Sequence, residues 1–208
     1  MVPGPQIVYK CPNCEHLTQQ GTIRSGNTIG ATFYSDGKYD APMMSDILQF
    51  NKCRKCETFY WFEGSHELIR YELSIEGHPL QHVESPQLIR IEDFHKALER
   101  SIYRTYGEII YIRQRLMWAY NDQIRFHKNP QSEKIKDYRH YDNLKILMEN
   151  LFMEKPYHIM LASEIHRNLG EFEKSISLLR ALENENYNDK KAKLIQACHQ
   201  GYRNVLVF

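Results

Sequence analysis

Four cysteines in two Cys-x-x-Cys pairs constrain this chain more than any other feature. Cys11-Pro12-Asn13-Cys14 and Cys53-Arg54-Lys55-Cys56 each present two thiolates from one turn, and two such turns supply all four ligands of a tetrahedral zinc site. The spacing predicts that Cys11, Cys14, Cys53 and Cys56 clip the N-terminal third together around a structural Zn2+. A site closed by four protein ligands leaves no position for a substrate, so the pattern speaks to architecture before it speaks to function. Thioredoxin-like redox chemistry would need a pair opening a helix after a strand, whereas strand-like residues follow each pair here. Two disulfides would need an oxidising compartment. Iron in a four-thiolate site has the same spacing, and the choice between zinc and iron stays open at this stage.

The chain has 208 residues, 42% of them hydrophobic, and a formal net charge of +1. That length allows one large domain or two small ones, and the composition is that of a folded, soluble protein. Near-neutral charge supplies no general attraction to nucleic acid or anionic lipid, so such binding would need a local patch. No apolar run approaches the roughly 20 residues that span a bilayer, and the first residues lack the pattern of a secretory signal. The expectation is a cytoplasmic protein with reduced thiols and no membrane partner. Cys198, outside the pairs, reads as an unmodified helix residue.

Two periodicities meet near residue 86, dividing the chain into expected domains of 1–86 and 87–208. The first reads as strands and turns. Residues 28–34 run into Ser35-Asp36-Gly37-Lys38, a hairpin turn in which Asp-Gly accepts positive φ. Residues 58–62 form an aromatic strand, and Ile69, Tyr71, Leu73 and Ile75 alternate with Arg70, Glu72, Ser74 and Glu76 as a strand with one buried face. From Ile91 the period becomes helical: Phe94, Leu98, Ile102, Tyr106, Ile110, Met117, Tyr120 and Ile124 predict a long helix, or a pair broken near Gly107. Residues 127–139 read as a polar loop, 141–154 as a further helix, 156–169 and 172–185 as helices joined by Gly170-Glu171, and 190–202 as a capping helix.

The stretches Lys10-Cys11-Pro12-Asn13-Cys14-Glu15-His16 and Lys52-Cys53-Arg54-Lys55-Cys56-Glu57 resemble the two knuckles of a zinc ribbon, with a spacer, residues 15–52, longer than usual. The helical pair resembles a tetratricopeptide repeat: Ala162 and Ser163 stand where helices cross closely, Gly170 makes the turn, Phe172 packs in the hinge, and Ser175, Ile176 and Leu179 line the second helix. Ile159 replaces the usual tryptophan and a closing proline near Tyr187 is missing. One repeat cannot bury its own apolar face and must stack on its neighbours. These resemblances imply an α+β chain, a small zinc-ribbon-like β domain followed by an α-helical tetratricopeptide-like domain, and a partner protein or peptide bound by stacked helices. A second copy of the chain is a further expected partner.

No phosphate loop, nucleophile elbow or His-Glu-x-x-His motif occurs, and an enzyme is not expected. Asp36, Asp40 and Asp46 lie near one another around an aromatic hairpin, and a catalytic site near Asp36 and Asp40 is the weakest of the three readings, since turn formation accounts for Asp36. The segment 26–44, rich in Gly, Tyr, Phe and Met, reads as a recognition surface. Nucleic-acid binding is the main alternative: Lys52, Arg54 and Lys55 with Phe59, Tyr60 and Trp61, and Arg100, Arg104, Arg113, Arg115 and Arg125 on the long helix, are groups such contacts use. Interspersed Glu57, Glu63, Glu99 and Glu108 favour a solvated face for them instead. His16 reads as a turn residue, His78 and His82 as linker residues, and His166 as packed at a helix crossing.

Overall fold

The computed structural model describes residues 1–44, 46–72, 79–80 and 82–208. Two compact units divide the chain: residues 1–31 with 40–102, and residues 32–39 with 103–208. These divisions fall elsewhere than at the change of periodicity near 86.

The first unit is built on two hairpins. Strand β1 (Val2–Lys10) turns through the first Cys-x-x-Cys into β2 (Leu17–Ser25). The short strands β3 (Thr32–Phe33) and β4 (Tyr39–Asp40) come next in chain order, and their residues 32–39 count with the second unit. Strand β5 (Phe50–Lys52) then turns through the second Cys-x-x-Cys into β6 (Phe59–Trp61). Strand β7 (Glu67–Tyr71) adds to β1, giving an antiparallel sheet ordered β2-β1-β7. Central β1 buries Ile7, Val8 and Tyr9 in succession, so both faces of the strand are covered there. Its register shifts between Pro3 and Gln6, where proline cannot donate to a ladder.

β7 departs from the expected one-sided strand. Tyr71 is buried, but Leu68 and Ile69 are 45% and 38% exposed among the described residues, and β7 is an edge strand with β1 as its one neighbour in the sheet. Leu73 to Glu76 and His78 lie outside the described residues.

Helix α1 (Ile91–Glu99) belongs to this first unit and buries Phe94 and Ala97. The chain leading to it is tied down by backbone acceptors: Gln19 N–H donates to Glu84 O, Gln87 Nε2 to Lys52 O, and Trp61 Nε1 to Ile102 O beyond the helix. Lys52 Nζ meets Asp93 at 3.0 Å. Just beyond the helix, Arg100 lies over the Phe59 ring.

The second unit holds α2 (Tyr106–Arg125), α3 (Tyr138–Glu149), α4 (Pro156–Leu169), α5 (Phe172–Ala181) and α6 (Asn188–His199). Each packs on the next in chain order, which forms one core of Met117, Leu144, Leu147, Leu161 and Ile165, and another of Met160, Leu179, Leu182 and Leu194. The break before α2 lies at residues 100–105 rather than at Gly107. Ser101 takes φ +51° there, and Thr105 Oγ1 accepts from Glu108 N–H, an N-cap that starts a helix whatever the periodicity upstream. Tyr106, expected on the buried side, is 68% exposed. Gly170 closes α4 at φ +82°, with Glu171 N–H reaching back to His166 O. Only glycine takes this conformation without strain, and the Arg203 side chain also occupies the space a Cβ would need.

Residues 32–39 are the unexpected part of this unit. They form the predicted tight hairpin, with Gly37 at φ +81° and Lys38 N–H bound to Asp36 Oδ1. The hairpin also pairs with the C-terminal tail, since Ser35 N–H donates to Leu206 O and Phe208 N–H to Phe33 O.

Candidate metal centre

The two knuckles share one backbone design. In the first, Cys11 N–H donates to His16 O and Glu15 N–H to Cys11 O; in the second, Cys53 N–H donates to Thr58 O and Glu57 N–H to Cys53 O. The residue after each second cysteine sits in the left-handed region, Glu15 at φ +56° and Glu57 at +59°. Each knuckle is the turn of a hairpin, and the two hairpins lie in separate sheets, so it is packing within the unit and not strand pairing that brings the knuckles together.

The four Sγ atoms all lie within 4.8 Å of one another. Cys11 to Cys56 and Cys14 to Cys53 are both 3.6 Å apart. A disulfide needs about 2.05 Å, whereas a tetrahedron with metal–sulfur bonds of about 2.3 Å has edges of about 3.8 Å. The thiols therefore fit a closed four-sulfur metal site and not a pair of disulfides. Cys11 and Cys53 are buried against Tyr60, and Cys14 and Cys56 stand at the rim.

The electrostatics agree with this geometry. Burial and the neighbouring thiols push the Cys11 thiol up to about 12, while the Thr58 hydroxyl and the Asn13 side chain draw the Cys56 thiol down to about 5. Four adjacent thiolates repel one another, and only a cation among them allows all four to ionise together. Thr58 Oγ1, 3.3 Å from Cys56 Sγ, and Asn13 are partners that the spacing argument passed over. The repeated Cys-x-x-Cys-Glu was the sequence signal for the knuckle geometry.

His16 is not part of the sulfur cluster; its backbone carbonyl serves the knuckle. Cys198 is buried in α6 with Sγ 3.4 Å from Ser175 Oγ. No family model, no curated protein and no solved structure matches the chain.

The other expected sites change meaning. Asp36 is fully buried within the second unit, where its carboxylate accepts from Arg125 Nη2 and Asn121 Nδ2, each at 2.7 Å, and its backbone carbonyl accepts from Trp118 Nε1. It anchors the hairpin and offers no carboxylate to a substrate; Asp40, in exposed β4, does not share that environment. Tyr34 and Ser35 are buried with Asp36, so the middle of the 26–44 segment is interior. Its exposed apolar groups are at the flanks, as at Ile29.

The aromatic groups assigned to nucleic-acid stacking, Phe59, Tyr60 and Trp61, are all buried, and their faces are spent on Phe50, Phe62 and His66. The arginines are engaged as well. Arg100 lies over Phe59, Arg104 pairs with Glu108, Arg113 binds Asn143, Arg115 lies over Tyr111 and Trp118, and Arg125 holds Asp36. His166 binds Glu171 Oε2 at 2.6 Å beside the α4–α5 turn. No helix among the described residues is long and apolar enough to cross a membrane.

A second buried ion pair escaped sequence reading. Glu164 and Arg167, one turn apart on α4, are both fully buried, and Arg167 also donates to Tyr202 O and Asn204 O of the C-terminal tail. Ser35 Oγ donates to Glu164 Oε1 at 2.8 Å. Two opposite charges one turn apart, set among Met160, Leu161 and Ile165 of the same helix, were the available signal.

Proposed function

We propose that this is a zinc-stabilised protein-interaction chain, of adaptor, regulatory or inhibitor type, that binds a partner protein or peptide through its helical unit and has a binding rather than a catalytic role. The observation that carries the reading is an aromatic patch on that unit. Tyr106, Phe152, His158 and Tyr157 follow one another in ring contact, with centroids 6.2, 5.7 and 5.8 Å apart. Tyr106, Met153 and Tyr157 are substantially exposed. Aromatic and methionine side chains are favoured at interface centres, where they bury large areas at little entropic cost. The α4–α5 hairpin, with small residues buried at its crossing, supports a tetratricopeptide-like scaffold, and the knuckle geometry supports a ribbon-like one. The metal-compatible, reduced thiols fit the cytoplasm.

Affinity capture with the native chain and with a Tyr106→Ser, Tyr157→Ser variant tests the reading. The native chain is expected to retain a partner that the folded variant loses, and light scattering distinguishes a second copy from a different protein. Equal capture by both, or by neither, overturns the role of the patch. Metal analysis is expected to return about one zinc per chain; iron would declare itself by its visible absorption.

A further inference from the structure

The four cysteines of the metal centre differ in burial. Cys11 and Cys53 are 1% and 0% exposed, whereas Cys14 and Cys56 are half-buried. The two approaches of 3.6 Å each join a rim sulfur to a buried sulfur of the other knuckle, Cys56 to Cys11 and Cys14 to Cys53. A disulfide across either pair needs the sulfurs to close by about 1.5 Å, to roughly 2.05 Å. Such a bond joins the two hairpins covalently, in the place where the ion joins them by coordination.

Cys56 also lines a cavity of about 190 Å3. Thr58, whose hydroxyl lies 3.3 Å from Cys56 Sγ, lines it too, together with Lys52, Lys96 and Arg100. Lys52 Nζ is held by Glu57 and Asp93, and the Arg100 guanidinium rests over Phe59. Lys96, exposed on α1, pairs with no carboxylate among the described residues, so its charge is the one left for the cavity. A space below the roughly 300 Å3 of ordinary ligand sites admits a molecule of a few heavy atoms. The thiolate is the nucleophilic form of cysteine, and metal ligation keeps it deprotonated.

We propose that Cys56 is an oxidative modification site, at which a small hydroperoxide expels the metal by driving a disulfide between Cys56 and Cys11. The inference rests on the four-sulfur metal reading. The Cys56 sulfur attacks one peroxide oxygen and the O–O bond breaks. The departing oxygen leaves with the electron pair, is offset by the Lys96 charge, and takes a proton from water. The Cys11 sulfur then attacks the sulfenic sulfur, forming the S–S bond and expelling hydroxide, which is protonated to water. Two thiolates have lost two electrons, and the peroxide has become an alcohol and water. Two sulfurs remain for the ion, where a structural site needs four ligands.

Treatment of the zinc-loaded chain with hydrogen peroxide tests this, with zinc release followed by a chromogenic chelator and linkages mapped by alkylation, proteolysis and mass spectrometry. Zinc release is expected to keep pace with a Cys11–Cys56 disulfide as the first product, and reductant with added zinc is expected to restore the loaded chain. Lys96→Ala, at an exposed position, is expected to load zinc normally and to release it about threefold more slowly. Zinc retained under peroxide, a first linkage within one knuckle or at Cys14, or a release rate indifferent to Lys96→Ala overturns the proposal. A chain that never loads zinc fails the metal reading itself, and this proposal with it, before peroxide is added.

Discussion

Glu15 and Glu57 occupy equivalent positions in the two knuckles, and both hold a positive φ that L residues avoid. The strain is tolerated because each N–H must reach back to the carbonyl of its knuckle's first cysteine. Glu15→Gly is expected to raise stability by about 0.5–1 kcal/mol, since glycine takes this conformation without a Cβ clash; urea unfolding of the metal-loaded chain measures it, and a loss would contradict the strain argument. Asp36 is the opposite case, a residue whose chemistry was visible and whose role was not. Removing one partner of a buried pair leaves the other charge stranded, so Asp36→Ala is expected to cost about 3–5 kcal/mol. Adding Arg125→Met is expected to recover part of that loss, and a double mutant that unfolds as easily as the single would refute the explanation.

At the scale of elements, caps and edges decided what periodicity left open. Thr105 starts α2 and Asp137 starts α3, the latter accepting from Arg139 N–H and from Tyr120 Oη. The Arg139 guanidinium beside it holds the Asp137 carboxyl well below the usual carboxylate range. A depressed carboxyl stabilises the fold above its unfolded value and loses that contribution as pH falls toward the folded one. Asp137→Asn is therefore expected to cost about 1 kcal/mol near neutrality, with the difference from the native chain shrinking below about pH 4; a gap that stays constant in acid would exclude the charge as its cause. His140 works in the same direction. Its folded value is lowered to about 4 by burial, so stability present above the ordinary histidine range is lost as pH falls from about 6.5 to 4, by roughly 3 kcal/mol. Thermal melts of the native chain and His140→Phe across that window are expected to differ in slope, the variant being the flatter.

For the whole molecule, each unit carries one tryptophan, Trp61 in the first and Trp118 in the second. Metal binding to thiolates is folding free energy for a small β unit and competes with protons. In a Trp118→Phe chain, chelator or a shift to low pH is expected to move buried Trp61 emission to the red as the four-sulfur site empties; an unchanged spectrum with the metal demonstrably gone would show that the ion is dispensable for the fold. The knuckles themselves were legible because each Cys-x-x-Cys turn is local chemistry, two thiols presented from one turn, whereas the approach of the four sulfurs to within 4.8 Å of one another is tertiary. The bounds of α4 and the Asp36-Gly37 turn were legible for the same reason, since proline, glycine and Asx bonding act within a few residues.

What the sequence by itself determined is thus the set of local commitments: four thiolates in two turns, the change from strand to helix period, and the Gly170 corner. Tertiary structure alone decided where residues 32–39 went. A hairpin read as part of the cysteine-rich region and of a recognition surface instead counts with the helices, because Asp36 finds Arg125 there and Ser35 finds Glu164. It likewise decided that Phe59, Tyr60 and Trp61 face inward rather than toward a ligand. Both outcomes depend on partners tens of residues away, and composition and spacing carry no record of which distant charge or apolar face a side chain will meet.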